Sequence, residues 1–226
     1  MLNGLTISGW RICTPLPLYL CKSPLALVMT PVPGRRLEAC VETSDNLTHE
    51  VLETMPRAVV AAMGIYWSMG QLHGDLHIEN ILCDFAARDL SFIDAGVPVS
   101  SFAFCDNVTK RWYPASYDLG YTLYNASIRL RSTIGNSAAR FRQQNFVERI
   151  LRIFVETVDP FEQKEQLLDE IEACARAHLQ SLELTWSLSG LGRVLLRRVA
   201  SRYIDTVINT LTTQERMLHE AASGNN

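Results

Sequence analysis

The chain has 226 residues, of which 47% are hydrophobic, and this is enough to bury a full hydrophobic core. A formal net charge of -3 provides no overall basic field, so we expect no nucleic-acid partner. No apolar run approaches the roughly 20 residues that cross a bilayer, no charged leader opens the chain, and the six cysteines include no C-x-x-C pair. We therefore expect a cytoplasmic protein without a membrane span.

The first 34 residues contain five prolines and can supply only short strands. Within them, Leu25–Met29 is a continuous apolar run, which predicts a buried strand. The sequence Pro-Val-Pro-Gly at 31–34 ends this strand in a rigid turn.

A helix is predicted from about Thr54 to Gly70, because apolar residues recur there at helical spacing and Thr54 is a suitable N-cap. Two short β-type runs follow, at Ile81–Cys83 and Leu90–Ile93, joined by a polar stretch at 84–89. We predict a β-hairpin from them, so that residues 73–80 form a loop between a helix and a strand.

The remainder of the chain reads as helical. We predict a helix at 117–131 and a second one with an apolar face at 146–158, which Asp159-Pro160 ends. Two further helices carry apolar stripes, and residues 223–226 should form a frayed tail. The stripes are Leu167, Ile171, Cys174, Ala175 and Leu182, then Leu195, Val199, Tyr203, Val207 and Leu211.

Three oxygen-bearing side chains stand out in this arrangement. Asp75 and Asn80 lie five positions apart in the predicted loop, and the hairpin can fold Asp94 back beside them. Phosphoryl transfer from a nucleotide needs oxygen ligands for magnesium and a carboxylate that orients the attacking hydroxyl. The three side chains meet that need.

The segment from His73 through Asn80, His-Gly-Asp-Leu-His-Ile-Glu-Asn, resembles the catalytic loop of the protein-kinase-like superfamily, and 93–96 resembles its D-F-G element. The resemblance implies an α+β kinase-like fold, mainly its helical C-terminal lobe with a small catalytic β-hairpin. It implies ATP and magnesium as cofactors, Asp75 as catalytic base, and Asn80 and Asp94 as metal ligands.

Further roles follow from the same resemblance. Leu25–Gly34 is similar to the strand and hinge that contact adenine, and Met29 lies in this segment. By the same resemblance, Met29, His77 and Leu82 are expected to bind the nucleotide. Structural support of the site would come from His73 through a hydrogen bond to backbone near Asp94, from Gly96, and from Asp118, which would accept backbone N–H bonds behind the loop.

Two positions point to a subgroup. At these positions Gly74 and His77 resemble the motif of small-molecule kinases, such as aminoglycoside and choline phosphotransferases, and of lipopolysaccharide kinases. Serine/threonine protein kinases carry Arg and Lys at the same positions. We therefore expect transfer of the γ-phosphate of ATP to a small-molecule or sugar hydroxyl rather than to protein. A serine/threonine protein kinase is an alternative.

This sequence departs most from the family pattern in the region of the N-terminal lobe. No Gly-rich phosphate loop or strand lysine is identifiable, and Lys22 is the sole lysine before residue 34. We interpret 1–34 as a remnant of that lobe and the hinge, 35–222 as the C-terminal lobe, and 223–226 as a disordered tail.

This departure leaves two hypotheses open beside an active enzyme. The chain could be an inactive, truncated kinase-like phosphotransferase by descent, or a pseudokinase-like binding module that depends on a partner chain to supply the missing lobe. A zinc hydrolase built on His73, Asp75 and His77 is a further alternative, but it leaves Asn80 and Asp94 unexplained.

Overall fold

The computed structural model describes residues 2–23, 25–43, 48–95, 111–129, 137–158, 161–181 and 190–223. These residues form an α+β fold, as predicted, in which helices outweigh strands. The strands are β1 Thr6–Ile7, β2 Trp10–Cys13, β3 Pro17–Lys22, β4 Leu25–Met29, β5 Arg35–Arg36, β6 Ile81–Asp84 and β7 Asp89–Phe92. The helices are α1 Leu37–Thr43, α2 His49–Ser68, α3 Ala115–Ile128, α4 Ser137–Glu156, α5 Phe161–Ser181 and α6 Gly190–Ser223.

A five-stranded sheet in the order β1-β2-β7-β6-β5 holds the predicted hairpin at its centre. Strands β6 and β7 pair antiparallel from Ile81 opposite Phe92 to Asp84 opposite Asp89, which confirms the hairpin. Strand β2 pairs parallel with β7, and the Arg11 guanidinium holds the buried Asp89 carboxylate with two bonds of 2.7 and 2.6 Å.

The predicted 1–34 segment divides into two parts. Strands β1 and β2 belong to the same sheet as the hairpin, and Trp10 and Ile12 are fully buried in the main core. Strands β3 and β4 instead form a separate two-stranded sheet.

The strand predicted at Leu25–Met29 exists, but the prediction that it is buried is wrong. All five residues of β4 are exposed, and the exposed fraction of the four large ones runs from 41% for Met29 to 80% for Leu25. An apolar run fixes the tendency to form a strand, whereas burial depends on a layer that covers it. Among the described residues, no such layer lies over β4.

Helix α2 begins earlier than predicted, because Thr48 rather than Thr54 caps it. The Thr48 side chain accepts a hydrogen bond from the Val51 backbone N–H at 3.2 Å, which satisfies one of the free donors of the first turn. Met55 and Met63 lie on the buried face of α2. This helix delivers the chain to the loop at 73–80.

Helix α3 is buried along most of its length and packs against α4, α5 and α6. The apolar faces predicted for α4 and α5 are buried at Phe146, Ile150, Leu167 and Ile171. The first half of the stripe predicted on α6 is wrong, because Leu195 is 62% and Val199 is 40% exposed, while the neighbouring Leu196 packs against the core.

Several predicted features lie outside the described residues: Gly96, the helix stop at 159–160, Leu182 and the tail from 224. Ser223, the first residue of the predicted tail, is the last residue of α6. None of the helices in the described ranges is both long and apolar enough to pass through a membrane.

Candidate active site

The loop at 73–80 is held from behind by one buried carboxylate. Asp118, in the first turn of α3, is fully buried and accepts from the backbone N–H groups of His73 at 2.8 Å and Gly74 at 2.9 Å. The Trp67 indole N–H donates to the same carboxylate at 2.8 Å. Burial raises the pKa of Asp118, although these three donors oppose the rise. Asp118 therefore ties the loop to α2 and α3.

A second contact from α3 fixes the middle of the loop. The Thr122 hydroxyl, one turn after Asp118, donates to the Leu76 carbonyl at 2.7 Å. Gly74 adopts a φ of +82°, a backbone conformation that side chains other than glycine rarely tolerate. The chain thus turns sharply between two anchored segments, and Asp75 lies at that turn.

Asp75 and Asn80 are in direct contact. The Asn80 side-chain Nδ2 donates to the Asp75 carbonyl at 2.9 Å and to its carboxylate oxygen Oδ2 at 2.9 Å. Both hydrogens of Nδ2 are used in this way, so Oδ1 is the atom of the Asn80 side chain that remains for a cation.

The hairpin brings Asp94 to the same place. The Ile93 backbone N–H donates to the Asn80 carbonyl at 3.0 Å, so the residue before Asp94 is bonded to the end of the loop. Asp94 is exposed and has a φ of +54°, in the left-handed region that Asp and Asn tolerate better than most residues. Asn80 and Asp94 therefore lie at the same end of the β6–β7 hairpin, and Asp75 is hydrogen-bonded to Asn80.

His77 closes the other side of Asp75. Its Nε2 lies 3.5 Å from Asp75 Oδ1, and its Nδ1 accepts from the Glu79 backbone N–H at 3.3 Å. Because Nδ1 accepts this bond, Nε2 is the ring nitrogen that faces the Asp75 carboxylate. His77 thus orients Asp75 as well as lying next to it.

The pKa of Asp75 reflects these neighbours. Burial alone would raise it, but hydrogen bonds from His77, Tyr121 and Asn80 outweigh burial and hold the pKa of Asp75 below its usual value. Burial and the interaction with Asp75 likewise raise the pKa of the Tyr121 hydroxyl. Asp75 is therefore a carboxylate at any physiological pH.

The ring of His73 does not make the predicted hydrogen bond to backbone near Asp94. The Ile93 carbonyl lies close enough to favour the charged ring, but neither ring nitrogen reaches hydrogen-bond geometry with a described residue. Burial lowers the pKa of His73 to about 4, so the ring is neutral. Its backbone, bonded to Asp118, provides the support.

A cavity of about 260 Å³ lies between the β3–β4 hairpin and this loop. Met29, predicted to bind the nucleotide, lines it together with Leu27, His73 and Asp94. Leu82 lies half-buried in β6 and is not among the lining residues.

Sequence reasoning missed Tyr121, Trp67 and Arg129 as parts of the site. Tyr121 and Trp67 carry no motif and read as packing residues, although one contacts Asp75 and the other Asp118. Arg129, at the end of α3, forms ion pairs with Glu79 in the loop and with Glu38 in α1. The one sequence feature that could place Arg129 near the loop is its position three helical turns after Asp118, on the same helix face.

A scan against family models finds no match to this chain, and searches of curated proteins and of solved structures find none of significant similarity. The geometry of the described residues is accordingly what bears on function. Within those residues, no group of three His, Cys, Asp or Glu side chains is arranged to share a metal ion, and this includes His73, Asp75 and His77 of the zinc alternative.

Proposed function

We propose that this chain is a kinase-like, magnesium-dependent phosphotransferase that moves the γ-phosphate of ATP to a hydroxyl of a small molecule or sugar. In this proposal, residues 35–222 correspond to a kinase-like C-terminal lobe. The observation that carries the proposal is the double hydrogen bond from Asn80 to Asp75 beside the end of a hairpin that presents Asp94.

Asp75 is the catalytic base in this proposal. Its carboxylate is 37% exposed and can meet an incoming hydroxyl, while His77 and Asn80 fix its orientation from within. Because its pKa is low, Asp75 acts mainly by orienting the hydroxyl and accepts the proton late in the transfer. Positioning supplies most of the catalysis in reactions of this class.

Asn80 and Asp94 are the magnesium ligands in this proposal. Carboxylate and amide oxygens are the donors that magnesium prefers, and Oδ1 of Asn80 and the exposed carboxylate of Asp94 supply them. The ion, when bound, neutralises charge on the β- and γ-phosphates. Asn80 and Asp94 therefore supply the kind of oxygen ligands that magnesium requires.

The choice of a small acceptor rests on the residues around Asp75. Its hydrogen-bonding neighbours are a histidine, a tyrosine and an asparagine, and the described residues put no Lys or Arg among them. His77 is close enough to Asp75 to contact the phosphate as it is transferred.

The test is phosphate transfer from γ-labelled ATP with magnesium to a panel of amino sugars, amino alcohols, sugars and a serine-rich protein. We expect label on a small acceptor, a loss of at least about 100-fold in Asp75→Asn, and no loss in Asp169→Asn. Asp169 is a matched control because it is an exposed carboxylate on α5. Transfer to the protein alone would contradict the acceptor class, and equal activity of both variants would contradict the mechanism.

A nucleotide-binding module without turnover is the second candidate. Lys22, the sole lysine before residue 34, is exposed at the end of β3 opposite Leu25, and Arg11 is engaged with Asp89. Neither cation is among the residues that line the cavity beside Asp94. Calorimetric binding of magnesium and ATP without label transfer to any acceptor would favour this candidate over the enzyme.

A further inference from the structure

The β3–β4 hairpin exposes an unusually large apolar surface. Eight large apolar residues in and beside it are at least 41% exposed: Leu16, Leu18, Tyr19, Leu20, Leu25, Leu27, Val28 and Met29. Successive side chains of a strand point to opposite faces, so these residues make both faces of the hairpin apolar. Clustered exposed apolar residues of this kind mark an interaction surface.

The two edges of this hairpin are not equivalent. Strand β3 begins with Pro17, which has no N–H to donate, has a register irregularity between Pro17 and Tyr19, and ends at the charged Lys22. A proline, a bulge and a lysine are the devices by which proteins protect an edge strand from pairing. Strand β4 has none of the three, because its sequence is Leu-Ala-Leu-Val-Met.

A free two-stranded hairpin is also marginally stable by itself. Three or more strands, or a covering layer, are normally needed for stability in water. Among the described residues, β4 pairs with β3 alone, and its outer backbone groups have no strand partner. A further strand on the β4 side would therefore stabilise the hairpin.

We propose that this chain forms a two-fold symmetric dimer in which β4 pairs antiparallel with β4 of a second copy, to give a four-stranded sheet. Leu27, the middle residue of β4, then lies opposite Leu27 of the other copy. This pairing adds strands to both hairpins at once, through an interface in which the same patch serves both copies.

Charge and edge protection favour a second copy as the occupant. Lys22 is the one charged residue of β3 and β4, and it lies on the outer strand, so two copies bring no like charges together across the new strand pair. Each copy presents the same unprotected β4 edge, so one two-fold axis pairs both edges at once.

The dimer can be tested with two substitutions at the same level of the hairpin. Leu27 in β4 and Leu20 in β3 are cross-strand partners and are 53% and 52% exposed, so each tolerates a lysine without loss of fold. In the dimer, Leu27→Lys places two lysine side chains directly opposite each other, with Cβ atoms about 5 Å apart. Leu20→Lys places them three strand spacings apart, about 14 Å, where salt screens them.

We expect the 226-residue chain to dimerise in sedimentation equilibrium, with a dissociation constant about tenfold or more higher in Leu27→Lys and little changed in Leu20→Lys. Mixing Leu27→Lys with Leu27→Glu should restore the dimer, because opposite charges then meet. Far-UV circular dichroism verifies the fold of each variant. A monomeric wild type, equal effects at the two positions, or no rescue in the mixture would each overturn the proposal. A monomeric wild type would instead favour pairing of the free β4 edge with a strand of a different protein.

Discussion

Asp118 is the residue on which the geometry of the loop depends most. Both of its oxygens are occupied by N–H donors, and two of these donors are consecutive backbone groups of the loop. Without such donors, burial would disfavour the ionised carboxylate by several kcal/mol, and the group would take up a proton and become neutral. Here the donors stabilise its charge, and the charge in turn fixes the turn at Gly74.

We predict that Asp118→Asn lowers the free energy of unfolding by about 1–3 kcal/mol. The new amide NH₂ replaces an acceptor oxygen and faces N–H groups that it cannot pair with, and relief of the buried charge offsets only part of this loss. Denaturant unfolding measures the change, with Asp169→Asn as a control that should have little effect. Equal midpoints for the two variants would show that Asp118 does not brace the loop.

Tyr121 is predicted to set the ionisation of Asp75. The folded-state pKa of Asp75 is lowered, so its stabilising contribution is present above the ordinary pKa of about 3.9 and is lost as pH falls through the lowered value. Tyr121→Phe removes one donor and should raise the pKa of Asp75, as measured by ¹³C NMR titration of its carboxyl carbon. Tyr124→Phe, three residues later on α3, should leave the pKa of Asp75 unchanged. Identical titrations of both variants would exclude this role for Tyr121.

At the scale of elements, helices α3 and α5 cross at Gly120. A Cβ atom at Gly120 would lie 2.6 Å from the Cys174 Cβ and 2.8 Å from the Ile171 carbonyl oxygen, closer than such atoms approach. The absence of a side chain therefore allows the crossing. The same crossing brings His178 of α5 among Tyr117, Tyr121 and Tyr124 of α3, with ring centroids 4.9–5.5 Å apart.

Two glycine-to-alanine substitutions should change stability in opposite directions. Gly120→Ala forces α3 and α5 apart and should cost about 1–3 kcal/mol. Gly64→Ala, in α2, meets nothing within 4 Å and should stabilise the protein by about 0.5–1 kcal/mol, because alanine favours a helix. Thermal unfolding of both variants measures the difference. A Gly120→Ala protein as stable as wild type would contradict the close crossing.

Acid should weaken the contact between α3 and α5. Burial lowers the pKa of His178 to about 4, whereas an unfolded histidine titrates near 6.5. As pH falls from about 6.5 to 4, the unfolded state takes up a proton that the folded state excludes, so stability falls by at most about 1.4 kcal/mol per pH unit for this group. His178→Phe should make the dependence of unfolding free energy on pH shallower over this range. Parallel curves would contradict the assignment.

For the whole molecule, the sequence predicted the features that depend on local pattern. The hairpin of β6 and β7 follows from two apolar runs and a polar turn, and the helices follow from apolar spacing. The approach of Asp94 to Asn80 follows in turn from the hairpin. Asp75 was singled out by residue type and spacing alone.

The features that the sequence could not predict depend on contacts between distant segments. An apolar run such as Leu25–Met29 has the same pattern whether a layer covers it or not, and it is exposed. Both Thr48 and Thr54 are suitable N-cap residues by type, and it is the Thr48 side chain that accepts the cap hydrogen bond, from the Val51 backbone N–H. Tyr121 lies on a helix face that also packs, so only the fold reveals its proximity to Asp75.

The central claim of the proposed function is that side-chain oxygens of Asn80 and Asp94 hold one nucleotide-bound cation beside Asp75. It is tested most directly by NMR of labelled protein with Mn²⁺ and a non-hydrolysable ATP analogue. We predict that the Asn80 side-chain NH₂ signal broadens first, and that Asp94→Asn, which tolerates the same backbone φ, abolishes the broadening. An Asn80 signal that stays sharp while the nucleotide binds would contradict the claim.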